Sequence, residues 1–235
     1  MPDRFKGKSV LVAGGTGGLG RAVSIAFLDE GATVHVTYRS EAEFSSLRSG
    51  AGQSAPSLHG YTADVTDEQA TASLLGKLGR LDILVNSVGA YAGGAALWQT
   101  PLQVFERMLA LNVRSGFILA HGAVPLMLAQ NSGAIVNISS RAAVDHAAGA
   151  AAYAASKAAA VAMMDSLAAD LKGTGIRVNT VLPSIIDTAA NRGAMPGADF
   201  SKWPTPEEIA DVILFLTSDQ AKLIHGASVP VYGVN

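Results

Sequence analysis

The sequence has no cysteine and little charge, and both absences narrow what the protein can do. Without cysteine, disulfides and thiolate metal sites are excluded, and we predict no metal site. Charged residues make up 15% of the chain and the formal net charge is −2, so nothing indicates a surface for nucleic acid. Hydrophobic residues make up 49%, which argues for a packed core and against disorder.

Long apolar runs are also missing from the sequence. The N-terminus passes from charged residues to a short apolar run and then to glycines, too short for the hydrophobic region of a signal peptide. No later run approaches the length of a membrane span. We therefore expect a soluble, cytoplasmic protein with no membrane partner.

Short runs rich in β-branched residues alternate with longer helical stretches along the chain. Several runs are apolar at successive positions, as in strands buried on both faces. This alternation predicts a doubly wound α/β fold, with a mostly parallel seven-stranded sheet flanked by helices on both faces. The predicted strands are residues 9–13, 33–38, 57–63, 81–86, 134–139, 176–182 and 228–232.

Helix-start signals and one long irregular stretch complete the organisation. Thr66 with Gln69, and Thr205 with Glu208, are spaced as capping boxes. Pro101 and Pro206 occupy the expected first positions of two helices. Residues 184–204 lack clear periodicity and follow the sixth strand, where ligands bind in such sheets, so we predict a substrate loop or lid there. No linker divides the chain, and one domain over residues 1–235 is expected.

A glycine-rich turn, GGTGGLG, follows the first predicted strand. Gly15, Gly17 and Gly20 fit the G-x-G-x-x-G template, while Gly14, Gly18 and Gly20 fit G-x-x-x-G-x-G. In either template the glycines let the backbone turn tightly and approach a pyrophosphate at a helix N-terminus. A strand before the turn and a helix after it are the context that this motif requires, so a dinucleotide cofactor is predicted.

The end of the second strand bears on which dinucleotide binds. A carboxylate at this place accepts hydrogen bonds from the ribose of NAD, whereas an arginine accommodates the 2′-phosphate of NADP. Here the residues are Tyr38 and Arg39, with no acidic residue ending the strand. We predict NADP(H), with NAD(H) possible.

Tyr153 and Lys157 stand in an alanine-rich stretch, AAYAASKAAA, four residues apart. This spacing places both side chains on one face of a helix, where they could be ordinary surface residues. A catalytic pair is the alternative, because an ammonium one turn away should lower the tyrosine pKa toward the working range of an acid–base catalyst.

With these motifs in this order, the chain resembles short-chain dehydrogenases/reductases of the single-domain Rossmann type, essentially from end to end. Ser140 lies thirteen residues before Tyr153, which is the family's spacing, and Asn112 falls at the family's catalytic asparagine. The resemblance implies that the catalytic residues are Asn112, Ser140, Tyr153 and Lys157. It implies a cofactor-binding set of Gly14, Thr16, Gly17, Gly18, Leu19, Gly20, Tyr38, Arg39, Asp64, Val65, Asn86, Gly89, Tyr153, Lys157, Pro183, Ile186 and Thr188.

The chain departs from the family pattern at three places around the cofactor. Ser87 and Val88 stand where the family has Asn and Ala, Ser184 replaces the Gly of a Pro-Gly pair, and Ala13 replaces Thr. These changes affect backbone support around the cofactor rather than the reacting groups.

The resemblance implies an oxidoreductase that interconverts a carbonyl and an alcohol on a small molecule. The loop after strand six resembles dihydropteridine reductases, which leaves a C=N reductase open, and a 3-oxoacyl-thioester reductase is a further alternative. A nucleotide-sensing binding protein is the non-enzyme alternative. The apolar helices near 102–130 and 152–172 predict a homo-oligomer, a tetramer or dimer. Candidate pocket residues are Tyr91, Trp98, His146, Met195 and Trp203.

Overall fold

The computed structural model describes residues 3–234, in which seven strands form one sheet with parallel pairing throughout. The strand order is β3-β2-β1-β4-β5-β6-β7, which confirms the predicted doubly wound α/β architecture. The strands lie within two residues of their predicted bounds: β1 Ser9–Ala13, β2 Thr33–Tyr38, β3 Leu58–Thr62, β4 Ile83–Asn86, β5 Gly133–Ile138, β6 Ile176–Pro183 and β7 Ser228–Val231.

Helices cover both faces of the sheet and enclose two apolar cores. Successive residues of β1 alternate between the cores, because side chains of a strand point alternately to opposite faces: Val10 and Val12 lie in one core, and Leu11 and Ala13 in the other. The helices are α1 Gly18–Asp29, α2 Glu41–Gly50, α3 Glu68–Leu78, α4 Leu102–Leu109, α5 Ser115–Gln130, α6 Ala151–Asp170, α7 Ala189–Ala194 and α8 Pro206–Thr217.

The predicted helix starts are confirmed at α8 and corrected at α3 and α4. Thr205 and Glu208 form the complete capping box, with Pro206 first in the helix. For α3 the expected Thr66 box is wrong. Asp67 caps this helix by accepting from the Ala70 amide over 2.8 Å, while Thr66 donates to Asp64 instead. Pro101 is the residue before α4 rather than its first residue.

A π-helical turn, Ala110–Arg114, joins α4 to α5 so that residues 102–130 form one continuous helical run. By length and composition alone this run could cross a membrane, contrary to the sequence expectation. Its α5 part packs on the sheet through Leu119, Ala123 and Met127, which are fully buried. The core helix of a soluble protein passes the same composition test, so this finding is weak evidence for a membrane span.

The segment predicted as an irregular loop, residues 184–204, contains α7 and a 3₁₀ turn over Phe200–Lys202. The Thr188 side chain caps α7 by accepting from the Asn191 amide over 3.2 Å. Arg192 pairs with Asp187 and stacks over the Phe200 ring at 4.9 Å. These local contacts order a segment whose composition alone gave no periodicity.

Candidate active site

The glycine turn lies at the carboxyl end of β1, beside β4, where the strand order reverses and where ligands bind in such sheets. Gly14 has φ 74°, a conformation that favours glycine, and its amide donates to Thr37 Oγ1 over 2.9 Å. A Cβ at Gly20 would overlap the Gly14 carbonyl oxygen, so the turn closes only with glycine there. No side chain caps the first turn of α1, which leaves a helix N-terminus suited to a pyrophosphate.

Two of the departures from the family pattern offset each other at this turn. Ala13 has no hydroxyl, but the Ser87 hydroxyl of the neighbouring strand end donates to the Ala13 carbonyl oxygen over 2.8 Å. Its distance to the Gly14 carbonyl oxygen is 3.3 Å. The hydroxyl that supports the turn therefore comes from the end of β4 rather than from β1.

The predicted adenosine end of the site combines one exposed arginine with nearby carboxylates. Arg39 makes no hydrogen bond or ion pair with any residue in the described range 3–234. The Tyr38 hydroxyl donates to Glu41 over 2.7 Å, and the Thr16 hydroxyl donates to Glu43 over 3.0 Å. Hydrogen bonds from Thr66 lower the pKa of the Asp64 carboxyl, and the charges of Arg39 and Arg114 act in the same direction.

Tyr153 and Ser140 meet at the carboxyl end of β5. Tyr153 lies in the first turn of α6, and the Ser140 side chain is close enough to its hydroxyl to lower its pKa. Ser140 itself begins a short turn in which its Oγ accepts from the Ala142 amide over 3.2 Å. The fold thus brings the phenol and the serine hydroxyl together at this edge of the sheet.

Lys157 is buried one turn further along α6, with 5% of its surface exposed. Its Nζ donates to the Ile138 carbonyl oxygen over 3.0 Å and lies 6.0 Å from the centroid of the Tyr153 ring. The surface interpretation of the Tyr–Lys pair is therefore wrong for Lys157. Burial lowers the pKa of this ammonium to about 8.

The pKa of Tyr153 differs from the sequence expectation. Burial raises it above the ordinary value of 10; the neighbouring Ser140 side chain opposes the rise and Tyr91 adds to it. The Lys157 Nζ donates to the Ile138 carbonyl oxygen and makes no hydrogen bond with the phenol within residues 3–234. At neutral pH Tyr153 is thus a neutral phenol with a proton to donate.

Asn112 lies in the π-helical turn, where the extra residue turns its buried side chain toward α6. Its amide binds both backbone groups of Ala90: Oδ1 accepts over 2.9 Å and Nδ2 donates over 3.0 Å. Nδ2 also donates to Ser156 Oγ over 2.9 Å. A Cβ on Gly89 would lie 2.8 Å from Asn112 Oδ1 and 3.1 Å from Lys157 Nζ, so both atoms border the space above that glycine.

The remaining predicted cofactor residues fall into two groups. Thr188 approaches the glycine turn, since a Cβ on Gly18 would lie 2.9 Å from its methyl group. Asn86 instead turns into the sheet, donating to Asn137 Oδ1 over 2.8 Å and accepting from the Val88 amide. Four others have apolar side chains, which support the turn and the strand ends: Leu19, Val65, Pro183 and Ile186.

Among the five candidate pocket residues, only Tyr91 contacts a predicted catalytic side chain. Its ring stands edge-on to Tyr153 at 5.0 Å and is 69% exposed. Trp203 is buried against Phe200 within the loop, and Trp98 and His146 are exposed. Met195 ends α7 and is partly buried.

Sequence reasoning missed the residues that hold the predicted catalytic groups from behind. Ser139 Oγ donates to the Lys157 carbonyl oxygen, Ser156 Oγ to that of Tyr153, and Asn137 anchors Asn86 across the sheet. Their only sequence signal is a small polar residue inside an apolar element. Such a residue is usually hydrogen-bonded within the core, so it does not reveal its partner.

Comparison with known proteins agrees with this geometry. The family model for short chain dehydrogenases matches residues 8–198. The chain belongs to the short-chain dehydrogenase/reductase family. It is 32% identical over 242 residues to 3-oxoacyl-[acyl-carrier-protein] reductase from Thermotoga maritima, covering 98% of both chains. It is therefore an oxidoreductase of the Rossmann type.

Solved structures of the family include both nicotinamide cofactors. ElxO with NADP bound has a TM-score of 0.89 and 27% identity, covering 96% of this chain and 97% of its own. NAD⁺-bound xylitol dehydrogenase also has a TM-score of 0.89, with 26% identity, covering 97% of this chain and 99% of its own. The family fold accommodates either dinucleotide, so the residues at the adenosine end must determine which of the two binds.

Proposed function

We propose that this short-chain dehydrogenase/reductase interconverts a carbonyl and an alcohol on a small molecule with NADP(H). The arrangement of Ser140, Tyr153 and Lys157 supports the proposal most strongly: a phenol beside a serine hydroxyl, with a buried ammonium one helical turn away. A nucleotide-sensing binding protein has no need of such a group of proton-transferring side chains. We propose Asn112, Ser140, Tyr153 and Lys157 as the catalytic residues.

The proton steps follow from the positions of these side chains. The bound nicotinamide supplies the hydride for reduction and accepts it in the reverse direction. Ser140 orients the substrate oxygen, and Tyr153 gives it a proton as charge develops there. Lys157, with a pKa of about 8, can return a proton near neutral pH. Asn112 would order a water that links Lys157 to solvent, as the resemblance implies.

A panel of carbonyl compounds tests this function and separates the alternatives. NADPH consumption would be followed with simple ketones, 3-oxoacyl thioesters and a quinonoid dihydropteridine. The thioester is favoured as a specific candidate by the similarity to the Thermotoga maritima reductase, and the dihydropteridine only by the likeness of the loop. Turnover of a ketone or thioester supports carbonyl reduction, while turnover of the pteridine alone favours the C=N reductase. NADPH binding without turnover of any compound favours the sensor.

NADP(H) is the proposed cofactor because Arg39 is exposed and unpaired within the described residues, and no acidic residue ends β2. A charge-assisted bond from Arg39 to the 2′-phosphate should favour NADPH over NADH. Glu41 and Glu43 lie on the adjacent helix α2, where their negative charge should keep the preference modest.

Replacing Arg39 by alanine should weaken NADPH binding by about tenfold and leave NADH binding almost unchanged. Adding Tyr38→Asp should turn the preference toward NADH, since a carboxylate then meets the ribose hydroxyls. Dissociation constants from fluorescence titration of both cofactors provide the measurement, with the exposed Arg48→Ala as control. Equal dissociation constants for NADPH and NADH in the wild type, or tighter binding of NADH, would reject the NADP assignment but no other part of the proposal.

We further propose that the chain is one catalytic domain in the cytoplasm, with residues 184–204 covering the substrate. Assembly into a dimer or tetramer is supported by exposed apolar side chains on α4 and α5. Phe117 is 57% exposed and borders a groove of about 480 Å³ between α5 and α6. Leu102 and Phe105 border a second groove at the start of α6.

Phe117→Asp should dissociate the assembly, because it introduces a charge into the proposed apolar interface. The native mass at micromolar concentration would be measured by light scattering, with the exposed Phe215→Asp on α8 as the comparison. A monomeric wild type would contradict the proposed oligomer.

A further inference from the structure

Both ends of the substrate loop and the turn that carries Ser140 meet at a short segment that follows β7, residues Tyr232 and Gly233. The Ser184 hydroxyl donates to the Tyr232 carbonyl oxygen over 2.8 Å, and the Ser184 amide donates to the Val231 carbonyl oxygen over 3.1 Å. The start of the substrate loop is therefore bound to the end of the last strand.

The far end of the substrate loop contacts the same segment. Gly233 has φ 74°, and a Cβ there would overlap the Lys202 carbonyl oxygen and lie 3.1 Å from Pro204 Cδ. The Pro204 carbonyl oxygen accepts from the Asp187 amide over 2.9 Å, which closes the base of the loop. Both ends of the loop are thus held against the two residues after β7.

The Tyr232 side chain extends these contacts to the turn that carries Ser140. The guanidinium carbon of Arg141 lies 5.7 Å from the centroid of the Tyr232 ring, within the range of a cation–π contact. Arg141 also approaches Asp145, with 3.6 Å between Nε and Oδ2. Because Arg141 directly follows Ser140, holding its side chain restrains the backbone that presents the Ser140 hydroxyl.

We propose that Ser184 and Tyr232 are positioning residues, which hold the substrate loop and the Ser140 turn in the arrangement that binds substrate. The resemblance leads us to expect glycine at 184, and glycine has no hydroxyl, so the bond to Tyr232 depends on a residue that departs from the family pattern. The proposal rests on the proposed function in one respect, since it assumes that Ser140 and the loop contact the substrate.

Limited digestion by trypsin tests the tether without any substrate. Arg192 and Lys202 are exposed within the substrate loop, and cleavage after them requires the loop to open locally. Ser184→Gly and Tyr232→Ala should each speed cleavage at these sites by roughly two- to tenfold, the loss expected for one hydrogen bond or cation–π contact. Ser184→Thr, which keeps the hydroxyl, should be cleaved at the wild-type rate.

Kinetics test the link to substrate binding. On a carbonyl substrate from the panel, Ser184→Gly and Tyr232→Ala should raise KM by a similar factor, with kcat and the NADPH dissociation constant unchanged. Arg141→Ala combined with Tyr232→Ala should be no worse than the more severe of the two single variants, because each single variant already removes the contact between the guanidinium and the ring.

Some results would overturn the proposal. Unchanged cleavage rates, or rates that rise equally in Ser184→Thr, would show that the segment does not hold the loop. A uniform fall in kcat, NADPH affinity and thermal midpoint would indicate a general structural role instead. If even the wild type turns over no compound, the proposed function fails, and the digestion result alone decides whether the tether exists.

Discussion

Tyr153→Phe should lower turnover by roughly 10²- to 10⁴-fold, the usual contribution of a general acid–base group, without weakening NADPH binding. The substitution removes one hydroxyl and keeps the ring that packs edge-on to Tyr91. Burial holds the pKa of this hydroxyl above 10, so the group lost is a neutral phenol able to donate to a substrate oxygen. Turnover with excess NADPH and the NADPH dissociation constant are the two measurements.

Tyr91→Phe is the matched control for this variant, because it removes a hydroxyl from the neighbouring, largely exposed ring. Its turnover should stay near that of the wild type. Near-normal turnover of Tyr153→Phe on an established substrate would show that another group is the acid. Loss of NADPH binding in that variant would instead show that the hydroxyl supports the cofactor site.

The strands and the glycine turn could be predicted from sequence because their signals are local. The β-branched runs gave all seven strands within two residues, and the conformation of Gly14 requires the residue type that the motif supplies. The loop of residues 184–204 was predicted less well. Its order comes from contacts such as Arg192 with Asp187, which composition does not reveal.

The support for the site could not be predicted, since it depends on partners that are distant in sequence. Ser87 compensates for Ala13 across 74 positions, and Asn112 binds Ala90 and Ser156 only because a π-helical turn redirects its side chain. The pKa of Tyr153 was predicted with the wrong sign for the same reason. Helical spacing gave the proximity of Lys157 but neither its burial nor its bond to Ile138.

Lys157→Met should abolish most activity and yet stabilise the protein at neutral pH. Activity should fall by at least about 10²-fold, because the proton relay loses its cation. Burial lowers the pKa of Lys157 to about 8 in the folded chain, against about 10.4 when unfolded. That difference corresponds to a penalty of about 3 kcal/mol below pH 8, which methionine, similar in length and uncharged, does not carry.

The stabilisation should be smaller than the full penalty, because the Ile138 carbonyl oxygen loses its donor in the variant. A lost hydrogen bond of this kind offsets about 1 kcal/mol, leaving a net gain of about 2 kcal/mol at pH 7. Between the two pKa values the unfolded chain binds more protons than the folded one, so wild-type stability rises with pH. The gain from Lys157→Met should therefore shrink toward zero near pH 9.5.

Urea unfolding of both proteins at pH 7 and near pH 9.5 measures this difference directly. Lys172→Met is the control: Lys172 is exposed just after the end of α6, so its replacement should change the free energy of unfolding little at either pH. The expectation fails if Lys157→Met is less stable than the wild type at pH 7, or if the difference in their free energies of unfolding does not vary with pH. Either result would mean that burial of the charged ammonium does not destabilise the folded protein. The expected result has a broader consequence, since an ammonium kept at such expense of stability is explained by what it does in the site rather than by what it adds to the fold.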